Sequence, residues 1–323
     1  MSILITGAAG FIGFHVARTL LDRGERVIGI DNLNDYYDVS LKEARLAKLR
    51  EHRDFVFAKL DVADRDSVFD LVESHLDLRD IIHLAAQAGV RHSLQDPYCY
   101  IDANVMGTLV MLEASRRVRS LRGVVYASSS SVYGANTKQP FSVDDPVDHP
   151  VSLYGATKRS CELIAESYSR LYGLPITGLR FFTVYGPWGR PDMAAYLFTR
   201  AILAGEPIQV FNEGRMARDF TYIDDIVAGV VAAAERPAAA GEHRIYNLGN
   251  HRPEQLLDFI GVLERLLGRT ATKKLLPMQL GDVPASYAGI ETARRDLGFE
   301  PKATIEIGLA AFVEWYRQYH GLT

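Results

Sequence analysis

From the N-terminus to about residue 185, short β-branched and aliphatic runs alternate with stretches whose apolar positions recur at helical spacing. The runs Ile3–Thr6, Arg26–Ile30, Phe55–Lys59, Asp80–Leu84, Gly123–Ser128 and Thr177–Phe181 read as strands. They are apolar with little alternation, as expected where both faces of a sheet are covered. Strands of this kind separated by helices predict an α/β fold with a doubly wound parallel sheet. After Gly186-Pro187 the rhythm changes. Loop signals at Pro187–Pro191, Gly205–Pro207, Asn212–Gly214 and Arg236–Gly241 accompany predicted helices at Met193–Ala204, Asp224–Ala234 and Gln255–Leu267. The expected division is a first domain over 1–186 and a smaller mixed α/β domain over 187–323, with the chain crossing back to the first sheet around 219–250.

Composition narrows the function classes. Apolar residues make up 48% of the 323 and charged residues 24%, which fits a folded globular chain and excludes a disordered or fibrous one. The 36 Lys+Arg against 40 Asp+Glu leave a net charge of -4, so no bulk attraction favours nucleic acid or an anionic membrane. Cys99 and Cys161 lack zinc or redox spacing, so no metal site is expected and a reducing cytoplasm is. Met1–Gly7 has no basic n-region, and no apolar run approaches the ~20 residues that span a bilayer. A cytoplasmic protein with no membrane partner is the expectation.

Gly7-Ala8-Ala9-Gly10-Phe11-Ile12-Gly13 lies between the first strand and an amphipathic helix expected over His15–Arg23, as a Rossmann-type dinucleotide-binding turn does. Glycines let the backbone approach a pyrophosphate, and the helix N-terminus presents free N–H groups to it. Asp31 ends the second strand, about 20 residues further on, where a carboxylate binds the adenosine ribose hydroxyls and repels a 2′-phosphate. NAD is therefore expected over NADP. Asp61-Val62, past the third strand, reads either as an adenine contact or as a turn capping the helix at Asp64–Glu73.

Tyr154 and Lys158 stand four residues apart at the start of a helix running through Cys161, Ile164 and Ala165, which puts both on one face. A phenol of pKa ~10 becomes a usable base when a neighbouring ammonium favours its phenolate. Tyr126–Gly134 follows a buried strand with four consecutive hydroxyls, Ser128 to Ser131, at the strand end where ligands bind.

These segments resemble the extended short-chain dehydrogenase/reductases, and within them the nucleotide-sugar epimerases, most closely the UDP-glucuronate 4-epimerases. The resemblance runs nearly end to end. It is carried by the glycine loop, Asp31–Tyr37, His83–Arg91, the serine run, Tyr154/Lys158, Arg180–Pro191, Arg218-Asp219-Phe220 and Gly281–Pro284. It implies that Tyr154 is the general base, that Lys158 holds the nicotinamide ribose, and that Ser129 meets the sugar's 4-oxygen. Gly7, Gly10, Phe11, Ile12, Gly13, Asp31, Asn32, Asp61, Val62, Leu84, Ala85, Ala86 and Asn104, with Tyr154 and Lys158, would hold NAD. Gln87, Arg91, Ser129, Ser130, Ser131, Thr183, Arg190, Arg218 and Asp282 would hold a UDP-sugar, Arg218 at the diphosphate and Asp282 at the uridine ribose. The family reaction passes through a transient 4-keto sugar. A homodimer is implied, through helices at Ile101–Arg117 and Ser152–Tyr172.

Two departures from the galactose-type pattern stand out. Thr183 replaces an asparagine and Gln279 an arginine. Thr183, with Ser130, Ser131 and Arg190, fits a grip on a substrate carboxylate, although a packed β-branched residue reads equally well there. UDP-glucuronate to UDP-galacturonate epimerisation with the carboxylate retained is the expected activity, and UDP-glucose/UDP-galactose epimerisation is the alternative. Residues 127–131 carry no carboxylate, which disfavours a dehydratase or decarboxylase, and the retained Tyr/Lys pair disfavours a non-catalytic dinucleotide-binding module.

Overall fold

The computed structural model describes residues 1–279 and 281–322. Its centre is a seven-stranded sheet made of β1 (Ser2–Thr6), β2 (Arg26–Asp31), β3 (Phe55–Lys59), β4 (Leu78–His83), β5 (Gly123–Ser129), β6 (Ile176–Phe181) and β11 (His243–Leu248). The strands run in the order β11-β6-β5-β4-β1-β2-β3, and every neighbouring pair is parallel. The order reverses direction between β1 and β4, and the crevice at that switch point is where such sheets bind ligands.

Helices cover both faces. α1 (Phe11–Asp22), α2 (Val39–Leu49), α3 (Arg65–Ser74), a turn α4 (Tyr98–Tyr100), α5 (Gly107–Ser115) and α6 (Leu153–Tyr172) precede β6. Alternate residues of one strand feed two different cores: Ile3 and Ile5 pack with Phe14 and Val16 of α1, while Leu4 packs with Val68, Val110 and Cys161. That two-sided burial is why the strands read as continuous apolar runs.

The remainder builds a third core. α7 (Ala194–Ala204), α8 (Ile223–Glu235), α9 (Leu256–Leu267), α10 (Glu291–Leu297) and α11 (Ile305–Tyr319) accompany small sheets, in which β7 (Thr183–Tyr185) pairs β10 (Phe220–Tyr222) and β8 (Ile208–Phe211) pairs β13 (Lys273–Leu276). β9 (Ala217–Arg218) lies between β12 (Glu254–Gln255) and β14 (Ala285–Ser286). Tyr196, Phe259, Phe312 and Trp315 dominate this core, whereas α8 packs against α1 and places Ile223, Ile226 and Val230 in the core of the main sheet.

Three expectations are revised. The helix after the glycine loop begins at Phe11 instead of His15, because Gly10 already has extended geometry as its N-cap. The helix expected over Ile101–Arg117 is broken in type: Ile101–Met106 is a π segment and only Gly107–Ser115 is α-helical. β11, α2, α10 and α11 add elements that the hydrophobic pattern leaves unassigned. No helix among the described residues is long and apolar enough to cross a membrane.

Candidate active site

A cavity of about 230 Å³ opens at the carboxyl ends of β1 to β6. Its floor is the β1–α1 turn. Gly7 has φ +70, and a Cβ there would sit 2.8 Å from the Ala85 nitrogen. A Cβ at Gly13 would lie 2.0 Å from the Gly7 carbonyl oxygen, so only glycine lets the turn close this tightly. No side chain caps α1 and its first turn carries no acid, so the N–H groups of Phe11 to Gly13 and the positive helix end border the cavity, the Gly10 N–H being taken by the Gly7 carbonyl. This cradle fits the pyrophosphate of a dinucleotide.

Asp31 is buried at the end of β2. Its Oδ2 accepts from the Ala9 N–H at 3.2 Å and its Oδ1 from the Leu33 N–H at 2.9 Å. Asn32 donates to Asp61 Oδ2 at 2.8 Å, and Asp61 Oδ1 accepts the Ala63 N–H at 2.9 Å. Asp61 and Val62 both line the cavity, and the N-cap of α3 is Asp64. Leu84, Ala85 and Ala86 form the adjoining wall.

Ser152 caps α6, its side chain accepting from the Gly155 N–H at 3.0 Å, and this fixes the turn that carries Tyr154. Tyr154 and Lys158, one turn apart, both border the cavity with Ser129. Lys158 is buried, donates to the Ala127 carbonyl at 2.9 Å, and forms no ion pair among the described residues. Burial, with the Lys158 charge second, pushes the His83 imidazole down to about 3, so the histidine beneath the site is neutral. Ser128 donates to Glu162 of α6 at 2.7 Å, and Glu162 is also held by Arg180 of β6. That buried group locks the strand bearing the serines to the helix bearing Tyr154. Nothing in the local sequence pattern singles out Glu162.

The opposite wall holds Asn34, Tyr36, Tyr37, Lys42, Gln87, Phe182, Val184, Arg190 and Met193. Lys42 is buried and donates to the Asn34 carbonyl at 2.8 Å and to Asn34 Oδ1 at 2.7 Å. Arg190 pairs with Asp192, whose carboxylate also accepts from Tyr36 Oη at 3.1 Å. Burial, and then the Asp192 charge, pushes the Tyr36 phenol up to about 12. The Gln87 Nε2 is buried without a protein partner among the described residues, leaving a donor for a ligand.

Several expected site residues stand elsewhere. Asn104 does not line the cavity: it donates to the Gln87 carbonyl and to Thr157, and accepts from the Gln87 N–H, so it shapes the wall from behind. Ser130 and Ser131 lie on the 3₁₀ turn beyond Ser129, and Thr183 sits on β7 between the wall residues Phe182 and Val184. Arg91, Arg218 and Asp282 gather outside the cavity. Arg91 pairs with Asp282 at 3.3 Å and lies 4.6 Å over the Phe211 ring. Burial lowers the pKa of Arg218, although the Asp282 charge opposes the shift. Two cations, an acid and an aromatic face suit a nucleoside diphosphate.

A tyrosine and a lysine one helical turn apart, bordering the same cavity as a glycine-rich strand–helix turn, are the plan of the extended short-chain dehydrogenase/reductases. Within that class the chain belongs to the NAD dependent epimerase/dehydratase family, matched over residues 3–249. It is 47% identical over 334 residues to UDP-glucuronate 4-epimerase 4 of Arabidopsis thaliana, covering 99% of this chain and 76% of that protein. It is 46% identical over 337 residues to the probable UDP-glucuronate 4-epimerase of Rhizobium meliloti (strain 1021), covering 98% and 97%. The fold matches that of the UDP-glucuronic acid 4-epimerase from Bacillus cereus in complex with UDP-glucuronic acid and NAD, with TM-score 0.92, 36% identity, and coverage of 99% and 100%.

Proposed function

We propose that this protein interconverts UDP-glucuronate and UDP-galacturonate by 4-epimerisation, with NAD resident in the β1–α1 cradle. The observation that carries the reading is that Arg190 borders the same cavity as Tyr154, Lys158 and the glycine turn. NAD, held by the glycine turn and Asp31, would supply the hydride acceptor and donor for C4 of the sugar. Tyr154 takes the proton of the 4-hydroxyl, with Ser129 sharing the hydroxyl's hydrogen bond. Lys158 brings a positive charge, without an ion-pair partner among the described residues, to the turn after Tyr154, which favours the phenolate, and its ammonium takes the nicotinamide ribose. Asp31 and Asn32 take the adenosine ribose, and Asp61 and Val62 the adenine. Once the ring presents its other face, Tyr154 gives the proton back and the sugar leaves inverted at C4.

Oxidation at C4 makes a uronate a β-keto acid, prone to lose CO₂ when the bond from C5 to the carboxylate aligns with the carbonyl π system. Arg190 is the residue we assign to hold that carboxylate out of alignment. Ser130, Ser131 and Thr183 adjoin the wall and act as further donors. Arg91, Arg218 and Asp282 take the uridine diphosphate, and Gln87 supplies its free amide. In this reading 1–186 is the cofactor-binding unit and 187–323 the sugar-nucleotide unit, working in the cytoplasm. A homodimer is supported by exposed apolar side chains on the π segment and α6, including Ile101, Met106 and Leu163, which a second copy would cover.

The test is an NMR assay of purified protein with UDP-glucuronate or UDP-galactose and no added NAD. Galacturonate formation with no net reduction of nucleotide is expected. Turnover of the neutral sugar in preference to the acidic one overturns the assignment.

A further inference from the structure

We propose that Asp192, capped by Tyr36, is a positioning residue that fixes which edge of the Arg190 guanidinium faces the sugar, and thereby decides whether the substrate carboxylate survives turnover. The proposal rests on the uronate-epimerase reading above. Arg190 Nε donates to Asp192 Oδ1 at 3.0 Å and Nη2 to Oδ2 at 2.5 Å, so one edge of the planar fork is fully committed. Nη1 donates to no protein group among the described residues, and Arg190 borders the cavity. The edge left for a ligand is therefore the one formed by Nη1 and the outer N–H of Nη2.

Tyr36 holds Asp192 in place. Its hydroxyl donates to Oδ2, the Arg190 guanidinium lies 6.0 Å from its ring centre, and the ring packs on His92 at 4.7 Å between centres. Gly89, at φ +110, closes over this hydroxyl: a Cβ there would come within 2.9 Å of Tyr36 Oη. Tyr36 and Asp192 are 156 residues apart in the chain, and neither has a task in the proton transfer. A guanidinium clamped along one edge by a carboxylate cannot spin about its own axis. A substrate carboxylate docked on the other edge inherits that plane.

Orientation governs a definite side reaction. In the 4-keto sugar, the bond between C5 and the carboxylate carbon breaks and its electron pair enters a C4–C5 enolate. CO₂ leaves, C5 takes a proton from solvent, and the sugar departs as a 4-keto-pentose with the two electrons from C4 still on the cofactor. A freed guanidinium lets the carboxylate rotate into the geometry this step needs.

Charge and orientation predict opposite results for Asp192→Asn. If Asp192 acted by its charge, removing it would leave a more positive site and tighter UDP-glucuronate binding. If it acts by orientation, the Kd stays within about threefold. Epimer formation then falls by up to about 10²-fold, the cost of a reactant misplaced by about 1 Å. A keto-pentose absent or scarce in the wild type also appears. The experiment measures Kd for UDP-glucuronate and UDP-glucose by calorimetry on the NAD-loaded protein, and identifies products by mass spectrometry. Tyr36→Phe, which keeps the ring, should move the product ratio the same way by less. An unchanged product ratio in both variants, or tighter acidic-sugar binding with normal products, overturns the proposal. Arg190→Ala separates the two levels. If it lowers the preference for UDP-glucuronate over UDP-glucose while the Asp192 and Tyr36 variants leave the products unchanged, only the positioning role fails. If Arg190→Ala leaves both preference and products unchanged, the carboxylate-holding role of Arg190 fails as well.

Discussion

Glu162 of α6 and Arg180 of β6 form a two-point ion pair inside the protein, Nε to Oε1 at 2.8 Å and Nη2 to Oε2 at 3.0 Å. Burial alone would raise the Glu162 carboxyl, but the bonds and charge of Arg180 outweigh it and hold the group below its ordinary range. Ser128 completes the triangle, so the strand end bearing Ser129 and the helix bearing Tyr154 share one anchor.

Replacing Glu162 by Gln leaves a buried guanidinium without its counter-charge. A cost of about 3–5 kcal/mol is expected from breaking such a pair, together with slower turnover as Ser129 and Tyr154 lose their common support. Denaturant titration of the wild type and variant measures the first, and an unchanged midpoint would show that the pair contributes little.

Acid sensitivity follows from two buried histidines. Burial pushes both His15 and His83 down to about 3 in the folded protein, against 6.5 when free. Between these values the unfolded chain binds protons that the native one excludes, so stability is full above about pH 6.5 and declines as the pH falls toward 3. Each histidine contributes a slope of at most about 1.4 kcal/mol per pH unit. Glu162, held below its ordinary value, adds its loss only under about pH 4.5; above that, His243 and His320, also lowered by burial, act in the same direction as His15 and His83, and the Asp219, Asp224 and Glu254 carboxyls, raised by burial, act against them. Unfolding free energies at pH 5 and pH 7 should differ accordingly, and His15→Asn should flatten the slope. A slope that His15→Asn does not change would refute the His15 share.

At the site, Tyr154→Phe keeps the ring and removes the hydroxyl we propose as proton acceptor. UDP-sugar and NAD should stay bound, while turnover falls by ~10²–10⁴-fold. Asp31→Ala takes away a buried carboxylate bonded to two amides and bordering the cavity. The loss of a charged hydrogen bond, about 1.5–3 kcal/mol, should leave protein that purifies with little nucleotide. Chromatography of the nucleotide released on denaturation reads this directly, and full NAD content in the variant would relocate the ribose contact.

What the chain discloses before folding depends on how far apart the partners lie. The glycine loop, Asp31 and the Tyr154/Lys158 pair are legible because each is a local spacing imposed by one turn or one helix. The parallel sheet is legible because Ile3, Leu4 and Ile5 are all apolar, a pattern only two-sided burial explains. β11 is harder to read. It begins His243-Arg244, and its first three residues are only partly buried at the sheet's edge. Asn104 reads as a ligand contact in sequence, and the partners of its amide, Thr157 and the Gln87 backbone, lie 53 and 17 residues away, beyond any local pattern. Arg91 meets Asp282 across 191 positions and Tyr36 meets Asp192 across 156, separations at which no periodicity speaks.

Arg45 ties the two sides of the site together. It is completely buried, donates to the Ala9 carbonyl in the glycine turn at 2.9 Å and to the Tyr37 hydroxyl at 2.8 Å, and reaches the Trp188 carbonyl with its other terminal nitrogen at 2.5 Å. Trp188 belongs to the same loop as Arg190 and has φ +62, a conformation that a tryptophan holds only when its surroundings compel it. His15 of α1 adds a second tie, to the Pro187 carbonyl at 2.9 Å. A lysine at position 45 carries one nitrogen where three acceptors on three segments need the spread of a guanidinium. Arg45→Lys should strand at least one buried carbonyl at about 1–3 kcal/mol. Because the turn and the loop are released together, NAD retention and affinity for UDP-glucuronate should fall in the same variant, with affinity for UDP-glucose falling less. Thermal unfolding with and without excess NAD, alongside calorimetry with both sugars, tests the coupling. A variant that loses stability but keeps wild-type affinity for NAD and for UDP-glucuronate would reduce Arg45 to a packing residue.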